Sequence, residues 1–110
     1  MTEQEHLELD AEVAGILGWK QEGFRAWRDS SGILWTPPPS FSQHIAPAWE
    51  VVKKMREAGC TVQVRLFAED GAECMVVSTE DRLAWNNESE CVAICMAALE
   101  WSRRKGREKG

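Results

Sequence analysis

Eight side chains in this 110-residue chain have the chemistry to hold a planar, negatively charged molecule: Arg25, Trp27, Trp35, Ser40, Ser42, His44, Arg65 and Trp85. Indole faces stack on flat rings, and guanidinium forks grip phosphate through paired hydrogen bonds. Arg25 and Trp27 are two residues apart, so they share one face of an extended segment, as do Gln63 and Arg65 in theirs. Ser40, Ser42 and His44 lead into a helix, where their donors add to the unpaired backbone N–H groups that attract anions. If these segments converge, they line a cavity suited to a nucleotide-like ligand.

The six tryptophans, with no tyrosine, divide by context. Trp49 falls on a helical apolar stripe, Trp19 directly follows a helix, and Trp101 lies on the last turns of the final helix, so all three read as structural. Trp27, Trp35 and Trp85 have polar neighbours and are the stacking candidates.

The same residues do not make an enzyme. His44 beside Ser40 or Ser42 has no acid in register and no strained nucleophile turn, and no paired carboxylates suggest a cleft. Cleavage of a cyclic nucleotide centred on His44 is the one catalytic alternative. Cys60, Cys74, Cys91 and Cys95 contain no CxxC and, with His6 and His44, do not approach a zinc spacing, so they read as reduced, buried thiols. No metal and no cofactor is expected.

Hydrophobic residues make up 44% and charged residues 28%, the balance of one ordinary globular domain spanning 1–110. The net charge of −5 argues against general nucleic-acid binding, which relies on a basic surface. The longest uninterrupted apolar run, Cys91–Leu99, is far short of the roughly 20 residues of a membrane span, and no signal peptide is evident. A cytoplasmic location follows as the expectation. Glu3, Glu5, Glu8, Asp10 and Glu12 make the start of the chain acidic, and Arg103, Arg104, Lys105, Arg107 and Lys109 make its end basic. Residues 1–5 and 104–110 are expected to be flexible.

The elements that must position these groups are three helices and two hairpins. Leu9, Val13, Ile16 and Leu17 form one face of a helix over about 5–17, ended by Gly18. The runs 24–28 and 33–36 flank the turn cluster Asp29-Ser30-Ser31-Gly32 and predict a hairpin. Three prolines at 37–39 then carry the chain to a second helix. It has a loose first turn capped by Ser42 and a regular body from Pro47 to Ala58, with Ile45, Ala48, Trp49, Val52 and Met55 as its buried stripe. Alternation over 60–67 and 73–79, around Glu69-Asp70-Gly71, predicts a second hairpin. Leu83–Asn86 reads as a loop, with Asn87 as N-cap and Glu90 three residues on, opening a last helix to about Arg104. The expected fold is α+β: a three-layer α-β-α sandwich with a small, mainly antiparallel sheet of about four strands and three helices.

This order and several residue blocks resemble the phage alpha-beta-alpha sandwich domain family. The matching residues are Gly18-Trp19-Lys20, Trp35 before prolines, Phe41-Ser42 with Ile45-Ala46, the block from Ala48 to Met55, and Ile94-Cys95 with Ala97-Ala98-Leu99. The resemblance spans roughly 9–101. It implies a fold and a bacteriophage or prophage source, hence the cytoplasm of an infected host cell, and no established activity.

Because Cys91–Leu99 is apolar at every position, one side of the last helix is expected to be a subunit interface through Ala93, Ile94, Ala97 and Trp101, making a dimer or higher homo-oligomer. The functional expectation is a non-enzymatic phage accessory protein that acts by binding, as an anti-defence factor sequestering a host nucleotide immune signal. The alternative is a module that binds and inhibits or redirects a host protein. No membrane partner is expected.

Overall fold

A helix apolar on all sides must be covered on all sides, and this requirement organises the molecule. In the computed structural model the elements run α1 (Glu3–Ile16), β1 (Lys20–Gly23), β2 (Ala26–Arg28), β3 (Leu34–Trp35), α2 (Ile45–Glu57), β4 (Thr61–Leu66), β5 (Ala72–Val77), β6 (Arg82–Asn87) and α3 (Glu90–Lys109). The structure describes every residue except Phe24, Arg25, Pro37, Ala68, Asp70, Glu80 and Gly110, and of 106–109 the backbone alone. The fold is α+β, built on two antiparallel three-stranded sheets in the orders β1-β2-β3 and β4-β5-β6. Helix α3 packs on β5 and β6, while α1 and α2 pack on α3.

Ala93, Ile94 and Ala97 are therefore fully buried within one chain. They offer no surface to a second subunit, because α1 and α2 cover what the sheet leaves bare. Trp101, half-buried with the Lys105 ammonium 4.9 Å over its ring, is the one member of that expected interface that reaches the surface.

Two strands were not anticipated, which is why six replace the expected four. β6 forms from the segment read as a loop: Leu83 and Trp85 alternate inward, pairing with Val76 and Cys74 of β5. β1 has no apolar alternation, and all four of its residues are exposed.

The helix starts also differ. Thr2 caps α1 in a reciprocal box with Glu5, so Glu3–Glu5 are helical rather than a flexible end. At the other end Arg104 lies inside α3, paired to Asp81 and Glu100, and Gly110 lies outside the described residues. Ser89, not Asn87, precedes α3, accepting from the Val92 N–H through its hydroxyl and from the Ala93 N–H through its carbonyl. Helix α2 begins after His44, which puts Pro47 at the third helical position, where a missing N–H breaks no intrahelical bond.

The buried stripe of α2 is Ala48, Val51, Val52 and Met55, and Trp49 is 49% exposed. Periodicity allows either 45-48-49-52 or 48-51-52-55 as an i, i+3, i+4, i+7 face. Contact with α3 and β4 selects the second and leaves Ile45 and Trp49 outside.

Candidate functional site

The expected nucleotide pocket does not assemble from its eight residues. Arg65 projects from β4 on the face of the large sheet away from α3, exposed and 3.6 Å from Glu73 across the strand pair. Trp85 lies on the opposite, inward face of that sheet, directly across from Cys74 and packed against the core. Trp27 belongs to the other sheet, with its ring edge against α1 at Gly15. Arg25 lies outside the described residues. Three of the intended walls therefore face three directions.

Ser42 has a different task. It is buried, and its hydroxyl and its N–H donate to Asp10 Oδ1 at 2.7 and 2.9 Å, while His6 Nδ1 lies 2.8 Å from the same hydroxyl. This clasp ties α1 to the segment before α2. Burial pushes the Asp10 carboxyl above its ordinary pKa, against the pull of the Ser42 hydrogen bonds. The side-chain partners of this hydroxyl are thus Asp10 and His6, and the exposed His44 side chain makes no cap to α2. Ser40 accepts through its carbonyl from the N–H groups of Gln43 and His44, holding the turn into the helix.

The four cysteines are free and buried. Burial pushes the Cys74 thiol up to about 12 and raises Cys95 as well, so both remain protonated and act as small apolar groups. Among the described residues no group of three or more His, Cys, Asp or Glu side chains could hold a metal ion.

Trp35 is the candidate that does line a cavity. Its ring lies 6.1 Å from that of Trp19 at an interplanar angle of 17°, and Trp19 meets Phe41 edge-on at 5.6 Å. The Trp35 indole N–H donates to Asp29 Oδ2 at 3.0 Å, while Asp29 Oδ1 accepts from the N–H groups of Ser31 and Ile33. This bonding, led by the indole, holds the Asp29 carboxyl below its ordinary pKa and fixes the ring orientation. The Asp29-Ser30-Ser31-Gly32 cluster thus serves as more than a turn: it locks an aromatic residue onto an edge strand.

Facing this wall is the outer stripe of α2, comprising Ala46, Pro47, Glu50, Lys53, Lys54 and Glu57. Between the two lies a groove of about 600 Å³, within the range of small-ligand sites. Its rim is mixed in charge, with Asp29, Glu50 and Glu57 against Lys53 and Lys54, so it has no strong preference for an anion. Ile33 and Leu34, next to Trp35 in the chain, and Ile45 and Trp49 on α2 are also exposed. Sequence reading identified Trp35 but missed Trp19, Phe41, Lys53 and Lys54, because it took the outer stripe of α2 for a solvated face.

Residues 13–99 match the profile of the phage ABA sandwich domain family. The chain is also similar to a phage protein from Bacillus cereus ATCC 14579 of known crystal structure, with a TM-score of 0.72 and 22% identity over 94% of this chain and 89% of that one. No curated protein matches it. Among the described residues no helix is long and apolar enough to cross a membrane.

Proposed function

This chain belongs to the phage ABA sandwich domain family, and within it we propose a non-enzymatic phage protein that acts in the host cytoplasm by docking on another protein. The observation that carries the reading is the groove walled by Trp19, Trp35 and Phe41 on one side and by the outer stripe of α2 on the other. Large, orientationally fixed aromatic side chains at a concave surface are the usual anchors of protein interfaces. The favoured occupant is an extended segment carrying an aliphatic or aromatic anchor with a lysine or arginine beside it, because three carboxylates and two ammonium groups line the rim. Binding of this kind inhibits or redirects the host protein without any bond being made or broken.

Sequestration of a nucleotide immune signal is the second reading, supported by the size of the cavity and by Lys53 and Lys54 beside the Trp19–Trp35 pair. One titration separates the two. The Trp35 indole N–H gives its own NMR resonance, and under the docking reading it shifts on addition of basic, aromatic-containing peptides and stays still with AMP, ADP-ribose and cyclic dinucleotides. The reverse pattern transfers the groove to the second reading, and a resonance unmoved by either removes the groove as a site.

A further inference from the structure

The two edges of the large sheet are treated differently. An antiparallel ladder alternates, so one bond fixes which residues of a strand point at their neighbour and which point away. Phe67 donates its N–H to the Gly71 carbonyl, and the register continues through Arg65↔Glu73 and Gln63↔Met75. The odd-numbered residues of β4 therefore pair with β5, while the N–H and C=O groups of Val62, Val64 and Leu66 point out of the sheet. On the far side, the Ser78–Asp81 bond gives β6 the same logic, with Arg82, Ala84 and Asn86 outward. There Arg104 reaches over from α3, takes the Arg82 carbonyl at 3.3 Å and pairs with Asp81 at 2.9 Å. The β6 edge is capped at that point. Among the described residues no hydrogen bond from outside the sheet reaches β4, a six-residue strand whose end presents Leu66 at 68% and Phe67 at 47% exposure.

We propose that β4 pairs antiparallel with β4 of a second copy, about a two-fold axis through Val64, joining two three-stranded sheets into one of six strands. Directly opposed residues in an antiparallel pair point to the same face, and the outward-facing groups of Val62, Val64 and Leu66 can bond only to one another in a symmetric pair. Centring on Val64 sets it against the partner's Val64 and Val62 against the partner's Leu66, with about six new backbone hydrogen bonds. Gln63 then faces the partner's Arg65, so no like charges meet, whereas a pair centred on Arg65 would oppose two guanidinium groups.

The two ends of the strand are also complementary. Beside Val62 an open recess lies between α2 and β4, lined by Lys53, Arg56, Glu57, Gly59, Cys60 and Thr61. The proposed register delivers the partner's Leu66 to it, and by symmetry Leu66 enters the matching recess of the partner. An exposed leucine at one end and, at the other, an open recess in which Cys60 and Val62 stand among polar residues make a second copy the natural occupant.

Sedimentation velocity over a wide concentration range, combined with amide hydrogen exchange, tests the assignment. Wild-type protein is expected to reach the mass of two chains, with concentration-dependent protection of the Val62, Val64 and Leu66 amides and none added at Ala84 or Asn86. Leu66→Lys changes a residue already exposed in the monomer, and Val64→Pro removes an N–H that the monomer leaves unbonded, a site where an edge strand accepts proline. Both are expected to weaken association about tenfold or more. A wild type that keeps single-chain mass at the highest concentration overturns the proposal. So does a dimer in which the three β4 amides exchange freely, or one that folded Leu66→Lys leaves intact.

Discussion

The large sheet with α3 and the small sheet with the outer stripe of α2 apply opposite rules to the same residue types. Where the first region packs sheet against helix, Cys74, Val76, Ala93, Ile94, Cys95 and Ala97 are buried to near zero exposure, and the residues of β5 alternate between this buried face and a half-buried outer one. In the second, Leu34 and Trp35 stay open on a two-residue edge strand, Ile33 just before it and Trp49 on a helix flank. Folding selects for the first arrangement and gains little from the second. Apolar surface left in water by a small domain, yet oriented by a side-chain hydrogen bond as Trp35 is by Asp29, points to use rather than to packing.

The sharpest test of this contrast is a charge placed in each region. Ala97→Glu sits at 0% exposure among α1, α2 and the sheet, and an unpaired buried carboxylate costs several kcal/mol, so the variant is expected to lose its cooperative melt by circular dichroism. A folded Ala97→Glu protein would mean that α3 is not covered from within. Ile94→Ala, at the same depth, is expected to lose about 2–5 kcal/mol in denaturant titration.

The Asp10–Ser42–His6 clasp comes next. Asp10→Ala leaves the buried Ser42 hydroxyl and N–H without their acceptor and is expected to lose about 1–3 kcal/mol. Asp10→Asn keeps an acceptor without the buried charge, so it is expected to avoid that loss. The pH dependence separates the two roles. Asp10 has a folded pKa raised by burial, so its ionisation opposes folding, and its contribution becomes more favourable as pH falls toward that raised value. Asp29 and Asp81 have lowered values, so theirs is present above the ordinary carboxylate value and is lost as pH falls from there through the lowered folded values. Relative to wild type, Asp10→Asn should gain stability at neutral pH and lose that advantage in acid, as read from melting temperatures across the range. An unchanged difference at all pH values would show that folding does not shift the Asp10 carboxyl.

Smallest in stability, and most informative about function, are the groove residues. Trp35→Ala is expected to lose about 1 kcal/mol and to abolish peptide-induced shifts. Trp49→Ala should change stability by less still, because half its surface already faces water, in contrast to the 3–5 kcal/mol of a fully buried tryptophan. A large loss in the Trp49 variant would move α2 round by one stripe and place its aromatic flank in the core.

The helices and the β4–β5 hairpin could be read from the sequence because their signals are local. An all-apolar run, a 3.6-residue stripe and an alternating strand around a glycine turn each bias the chain within a few residues. The cap at Thr2 carried a local signal of the same kind, a threonine followed three residues later by Glu5, yet residues 1–5 read as a flexible end. Strand β6 was legible only in part, since Leu83 and Trp85 alternate amid polar neighbours, and β1 had no pattern to read.

By itself the sequence determined an α+β domain of the phage ABA sandwich kind, the three helices and the burial of the cysteines, because periodicity and residue blocks are properties of neighbouring residues. Tertiary structure alone decided which of two equally periodic stripes of α2 faces the core, that α3 is enclosed rather than shared, that Ser42 binds Asp10 from 32 positions away, and that Trp35 rather than Arg65 borders a groove. Each of these depends on which segments meet. That is settled by the summed burial of the whole chain, and no local spacing records it.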